Sequence, residues 1–305
     1  MSTRRQFLIA AASAAVAAAA PSATRVRFGG PIFLKSTDPR ELAIEHRRLG
    51  YSAAYCPGDA NVNDRAHIAA IRDAFTKENV VIAEVGAWKN MLDPDDAVRK
   101  AALDYVTERM ALADEVGARC CVDIAGSYNP KVWYGPHRDN LSKKFFDATV
   151  ANARHIIDST KPKRSTFTIE MMGWNLPDNP DNYLRLIKAV DRPAFGVHVD
   201  VCNMINSPEK FYNSGAVIED CFRKLGKWIK SCHAKDLAWP AELNVHFVEV
   251  IPGRGEVDYK AYLRELAKLP QDAPLMMEHL KTAEEYDEGK RYIQSVAKSI
   301  GVEFA

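Results

Sequence analysis

From Val26 onward the chain alternates short apolar runs with longer amphipathic stretches, at a regular spacing that continues to the C-terminus. The apolar runs, rich in Val, Ile, Phe and Cys, predict strands at Val26–Phe33, Ser52–Cys56, Val80–Trp88, Arg119–Gly126, Ser165–Met172, Ala194–Asn203, Trp228–Asp236 and Pro274–Leu280. The stretches between them predict helices at Pro39–Leu49, Val62–Lys77, Asp95–Val116, Leu141–Ser159, Asp181–Val190, Val217–Leu225, Asp258–Leu269 and Ala283–Ile300. Asp38 and Asn61 are cap-like residues, and the acids at Asp95 and Asp96 suit a helix N-terminus. No Ser/Gly/Pro linker divides the series, so a single α/β domain over residues 24–305 is expected, built as a (β/α)8 TIM barrel. A doubly wound open sheet would place a glycine-rich turn between its first strand and a helix. Here Phe28-Gly29-Gly30-Pro31 lies inside the first strand and opens no helix.

The pattern begins late because the first residues have another character. Arg4-Arg5 stand directly before an alanine-rich apolar run from Leu8 to Ala20, and Pro21-Ser22-Ala23 follow with small residues. Residues 1–23 thus read as a twin-arginine export signal, too short and weakly apolar for a lasting membrane span. The expected partner for that segment is the Tat export machinery, and the expected location is periplasmic after cleavage. The formal charge of the 305-residue chain is +1 and becomes −1 without Arg4 and Arg5, which offers no bulk attraction to nucleic acid or anionic lipid. The six cysteines include no CxxC pair, and most lie within apolar runs, so free buried thiols are expected rather than a zinc or redox motif.

Four of the predicted strands, in succession, carry one candidate metal ligand near their C-terminal ends: Glu170, Asp200, His233 and Glu278. Side chains alternate along a strand, so each can be checked for its companions. With Glu170 go Thr168 and Met172, with Asp200 go His198 and Cys202, with His233 go Ser231 and Lys235, and with Glu278 go Met276 and Leu280. The alternate positions Ile169, Val199, Cys232 and Met277 are apolar and suit the helix layer. Taken singly, Asp200 could cap a helix and Glu278 could pair with Lys235. Taken together, three carboxylates converging on a barrel mouth imply a cation or a shared proton, because an unpaired buried carboxylate is very costly. The donor set suits one divalent cation, Mn²⁺ first, with Mg²⁺, Co²⁺ or Zn²⁺ also fitting. Glu84 and His198 are further inward polar positions.

These four residues, with His233-Ala-Lys235-Asp236 and Ile251-Pro-Gly-Arg-Gly255-Glu-Val-Asp258-Tyr259, resemble the xylose isomerase-like TIM barrels. That superfamily includes sugar phosphate isomerases and epimerases, ketose 3-epimerases, inosose dehydratases and AP endonucleases. The resemblance is strongest from Ile169 to Leu280. It implies that Glu170 and Glu278 act both as ligands and as an acid/base pair working on opposite faces of a substrate carbon. Asn203 departs from it, standing where Asp-x-x-His would supply a histidine. The three-zinc nuclease pattern is therefore incomplete, and the substrate of the ketose 3-epimerases does not carry over.

The function expected on these grounds is a metal-dependent isomerase or epimerase of a free sugar or keto-sugar, moving a proton through an enediolate. The alternative is a lyase or hydrolase of the same type, dehydrating a keto-polyol or cleaving a 3-keto-glycoside. A third is a non-catalytic sugar-binding barrel, against which the retention of all four ligands speaks. Lys235, Arg254, Asn203 and Trp174 are the candidate substrate-binding residues, with Trp88 and Trp133 as further aromatic walls. A small carbohydrate is the expected partner, with no nucleic acid and no stable membrane insertion, and with a homo-oligomer left open.

Overall fold

The computed structural model describes residues 25–305. The twin-arginine segment at residues 1–23 lies outside them. Eight parallel strands close into a barrel: β1 (Phe28–Gly29), β2 (Ala53–Tyr55), β3 (Val81–Gly86), β4 (Cys120–Ile124), β5 (Thr166–Glu170), β6 (Phe195–Asp200), β7 (Ile229–Ala234) and β10 (Leu275–Met277). Between β7 and β10 an antiparallel hairpin intervenes, β8 (Asp236–Ala238) with β9 (Val248–Val250). The helices α1 (Pro39–Arg48), α2 (Arg65–Lys77), α3 (Asp96–Val116), α4 (Lys143–Thr160), α5 (Pro180–Val190), α8 (Ser214–Leu225), α9 (Tyr259–Lys268) and α10 (Ala283–Ser299) alternate with the barrel strands, and two short ones, α6 (Val201–Met204) and α7 (Pro208–Tyr212), follow β6.

Local chemistry accounts for where the helices begin. The Asp38 side chain accepts from Arg40 N with Pro39 in the first turn, and the Asp95 side chain accepts from Ala97 N and Val98 N. Asn61, expected as a cap, is not one. Its side chain forms a turn with Asn63 N, and Asp64 caps α2 three residues later. Strand ends differ more. The expected Val26–Phe33 shrinks to two residues, because Gly30-Pro31 leaves the sheet. A Cβ on Gly29 would sit 2.2 Å from Ala53 O, so only glycine lets β2 approach there. The run Ala194–Asn203 divides at Asp200, which ends β6 and accepts from Asn203 N at the head of α6.

The hydrophobic core lies mainly between barrel and helices, with Ile169, Val199, Cys232 and Met277 buried in it as the alternation requires. All six cysteines are free, five of them buried. Glu84, His198 and Ser231 are buried polar residues in contact across the barrel interior, and the candidate site forms at the C-terminal ends of the strands.

Candidate metal centre

Glu170 and Asp200 are the last residues of β5 and β6, His233 lies in β7, and Glu278 follows β10 directly. Closure of the barrel brings one donor atom from each within 4.8 Å of the others. His233 Nδ1 stands 2.8 Å from Glu278 Oε1, 3.5 Å from Glu170 Oε1 and 3.8 Å from Asp200 Oδ2. After Glu278 the backbone of His279 takes φ +62°, a left-handed turn costly for a non-glycine residue, and one of several such turns here. His279 is held in that turn by Nδ1 at 2.8 Å from Glu249 Oε2.

The Lys235 ammonium lies 2.7 Å from both Asp200 Oδ2 and Glu278 Oε1, and 3.4 Å from Glu249 Oε1. The sequence-level pairing of Glu278 with Lys235 and capping by Asp200 are thus both real, and both coexist with the cluster. Burial opposes every charge here. At Glu170 burial prevails and raises the carboxyl above its ordinary value. At Asp200 burial is outweighed by Lys235 and His233, which hold the carboxyl well below the usual range. The same two partners outweigh burial at Glu278 and bring it down to about 2. His233 and Lys235 are raised in return, the carboxylates overcoming the burial penalty at each.

These residues fit a divalent cation. His233 Nδ1, Asp200 Oδ2 and Glu278 Oε1 are fully buried and lack a well-formed hydrogen bond, facing one another and, for the two oxygens, the Lys235 ammonium. Three carboxylates and an imidazole converging from four strands supply the oxygen-rich donor set that such an ion takes. Beneath the cluster, Glu84 of β3 reaches across the barrel to His198, Ser231 and His233.

A cavity of about 650 Å³ reaches the cluster, with Glu170, Glu278, Lys235 and Asn203 in its lining. Trp88, Trp133, Tyr134 and Trp174 also line it. Trp174 Nε1 donates to Tyr134 O at 2.5 Å, tying the loop after β5 to the loop after β4. Asn203 Nδ2 donates to Glu170 Oε1 at 2.7 Å. Arg254 is placed differently from the other candidates. Its exposed guanidinium grips Glu288 through two bonds of 2.6 and 2.8 Å and borders a smaller adjoining cavity.

The run from Ile251 to Val257 is held by Asp236, whose buried carboxylate accepts from the backbone N–H groups of Leu237, Gly253, Gly255 and Val257. A Cβ on Gly255 would fall 2.4 Å from Asp236 Oδ1, so glycine is required beside that carboxylate. Glu249 was not singled out from the sequence. The alternation Phe247-Val248-Glu249-Val250 is a strand signal within a stretch read as loop, and β9 forms there.

Three comparisons bear on this geometry. A family model described as Xylose isomerase-like TIM barrel matches residues 45–296. No curated protein matches the sequence. Among solved structures, D-psicose 3-epimerase with D-tagatose from Clostridium cellulolyticum H10 superposes with a TM-score of 0.65 at 13% identity, over 91% of this chain and 100% of that one. The 3-keto-D-glucoside 4-epimerase YcjR from E. coli gives 0.63 at 14% identity, over 89% and 100%. A xylose isomerase-like TIM barrel protein from Mycobacterium smegmatis in complex with magnesium gives 0.60 at 17% identity, over 86% and 88%.

Proposed function

Because this chain belongs to the xylose isomerase-like TIM barrel family, we propose that it is a metal-dependent isomerase or epimerase of a free sugar or keto-sugar. The observation that carries this reading is the convergence of Glu170, Asp200, His233 and Glu278, with Glu170 and Glu278 lining the 650 Å³ cavity. In this reading all four are the metal ligands. The cation, when bound, supplies Lewis-acid polarisation of a carbonyl oxygen and so acidifies the adjacent C–H bond.

The chain's own residues do the rest. One of Glu170 and Glu278 takes the proton from the carbon beside the carbonyl, and the C–H electron pair moves toward the carbonyl oxygen. The other carboxyl group delivers a proton to the opposite face, returning the electron pair to a C–H bond. These two groups come from β5 and the end of β10, with β6 and β7 between them, which suits attack from two sides. Lys235 Nζ faces the oxygen that gathers negative charge. Trp174 and its aromatic neighbours pack against the C–H face of a sugar ring.

The size of the cavity, about 650 Å³ with Trp88, Trp133, Tyr134 and Trp174 in its lining, favours a second reading, β-elimination from a keto-glycoside larger than a single sugar. The same proton removal begins both reactions. Incubation with Mn²⁺ in D₂O, with a panel of ketoses, keto-polyols and 3-keto-glycosides, separates them. Deuterium in an epimer supports isomerisation, and an enone or released aglycone supports elimination. Absence of exchange with every substrate would count against both. Glu170→Gln and Glu278→Gln should each abolish exchange, and wild-type rates in either would refute the acid/base pair. The reading also takes residues 1–23 as an export leader that delivers the barrel to the periplasm.

A further inference from the structure

We propose that Glu84 is a positioning residue for the cation centre: its carboxylate accepts the proton-bearing Nε2 of His233, so that the Nδ1 lone pair faces Glu170, Asp200 and Glu278. This rests on the metal-dependent reading above. Glu84 lies on β3 and His233 on β7, which stand diametrically opposite in the eight-strand ring. The contact therefore spans the barrel interior, where Glu84 is only 1% exposed.

Three partners fix the carboxylate. Its Oε1 lies 3.0 Å from His198 Nε2 and also accepts from Ser231 Oγ. Its Oε2 is left to His233 Nε2, at 3.2 Å. An ionised carboxylate can only accept, and an imidazole that ligates a cation is neutral and carries one N–H. The ring nitrogen that meets Glu84 must then be the one bearing hydrogen, which leaves the other as the donor of a lone pair. The opposite tautomer would set two lone pairs against each other in a dry interior and turn an N–H toward the site where a cation belongs. Glu84 touches neither Glu170 nor Glu278 in the hydrogen-bond network, so it acts on the centre through His233.

Two measurements test this. The wild-type protein loaded with Co²⁺ in H₂O should show one hyperfine-shifted imidazole proton that exchanges slowly and disappears in D₂O. Its absence would overturn the proposal without recourse to any variant. Titration of Co²⁺ and Mn²⁺ into Glu84→Gln should give affinities 10–100-fold weaker than wild type, because the amide can turn its NH₂ to the ring as readily as its oxygen. An affinity within twofold of wild type, with the exchangeable proton unchanged, would overturn it and leave Glu84 a core residue. If wild type itself binds neither ion, the metal-dependent reading falls, and this inference with it. Tight wild-type binding with an unchanged variant sinks the inference alone.

Discussion

Asn203 Nδ2 donates to Glu170 Oε1 across 2.7 Å, holding one member of the proposed acid/base pair from the first turn of α6. The residue that departs from the family's histidine thus remains part of the site, as a donor to a carboxylate rather than as an imidazole. A hydrogen bond to a charged group contributes about 1.5–3 kcal/mol. Asn203→Ala should therefore lower kcat/KM by roughly tenfold or more, while cation affinity measured by titration changes less. Unchanged turnover would show that Glu170 is held adequately by other contacts.

Removal of the cation should be visible in stability. A ligand present at about 100 times its Kd stabilises the folded state by about 2.7 kcal/mol, which for a domain of this size raises Tm by roughly 5 °C. Adding Mn²⁺ to chelator-treated protein should produce that rise, and Asp200→Asn should remove it. A rise retained in the variant would place the ion elsewhere.

Lys235 contacts the same two oxygens, on Asp200 and Glu278, that a cation would take. Lys235→Met takes away the positive charge that neutralises those buried carboxylates, so the metal-free protein should melt lower. The Mn²⁺-dependent rise in Tm should correspondingly be larger than in wild type. Equal rises in the two proteins would show that the ammonium and the cation do not compete.

His46, on α1, gives a pH dependence of known sign. Its ring is buried against Tyr51 and Phe75, with Nδ1 donating to Leu42 O at 2.8 Å. Burial lowers its pKa below the ordinary 6.5, so the unfolded chain takes up this proton first as pH falls. The stability it contributes is complete above about pH 6.5 and declines below that. Between pH 7.5 and 5.5 the Tm of wild type should fall further than that of His46→Gln. A smaller fall in wild type would contradict the buried neutral ring.

Arg4 and Arg5 carry the export expectation. Replacing both with Lys should leave unprocessed precursor in the cytoplasm, as judged by fractionation and mass. Normal periplasmic delivery of the variant would discard the twin-arginine reading.

The sequence was enough for the architecture, because strand and helix periods are local properties and each apolar run carries its own signal. It also identified Glu170, Asp200, His233 and Glu278, since position at a strand's C-terminal end and alternation along it can be read residue by residue. It did not assign the finer geometry. Asp200 ends its strand three residues before the apolar run does, because its side chain caps α6. Arg254 looks equivalent to Lys235 in the sequence, yet Glu288 from α10 holds it at the rim. Glu249 enters the site only because β9 folds back on β8. Glu84 and His233 are separated by 149 residues, and no local pattern tells which strands will stand opposite. Ring closure decides that, as a property of all eight strands at once, and with it which carboxylate lies behind the imidazole.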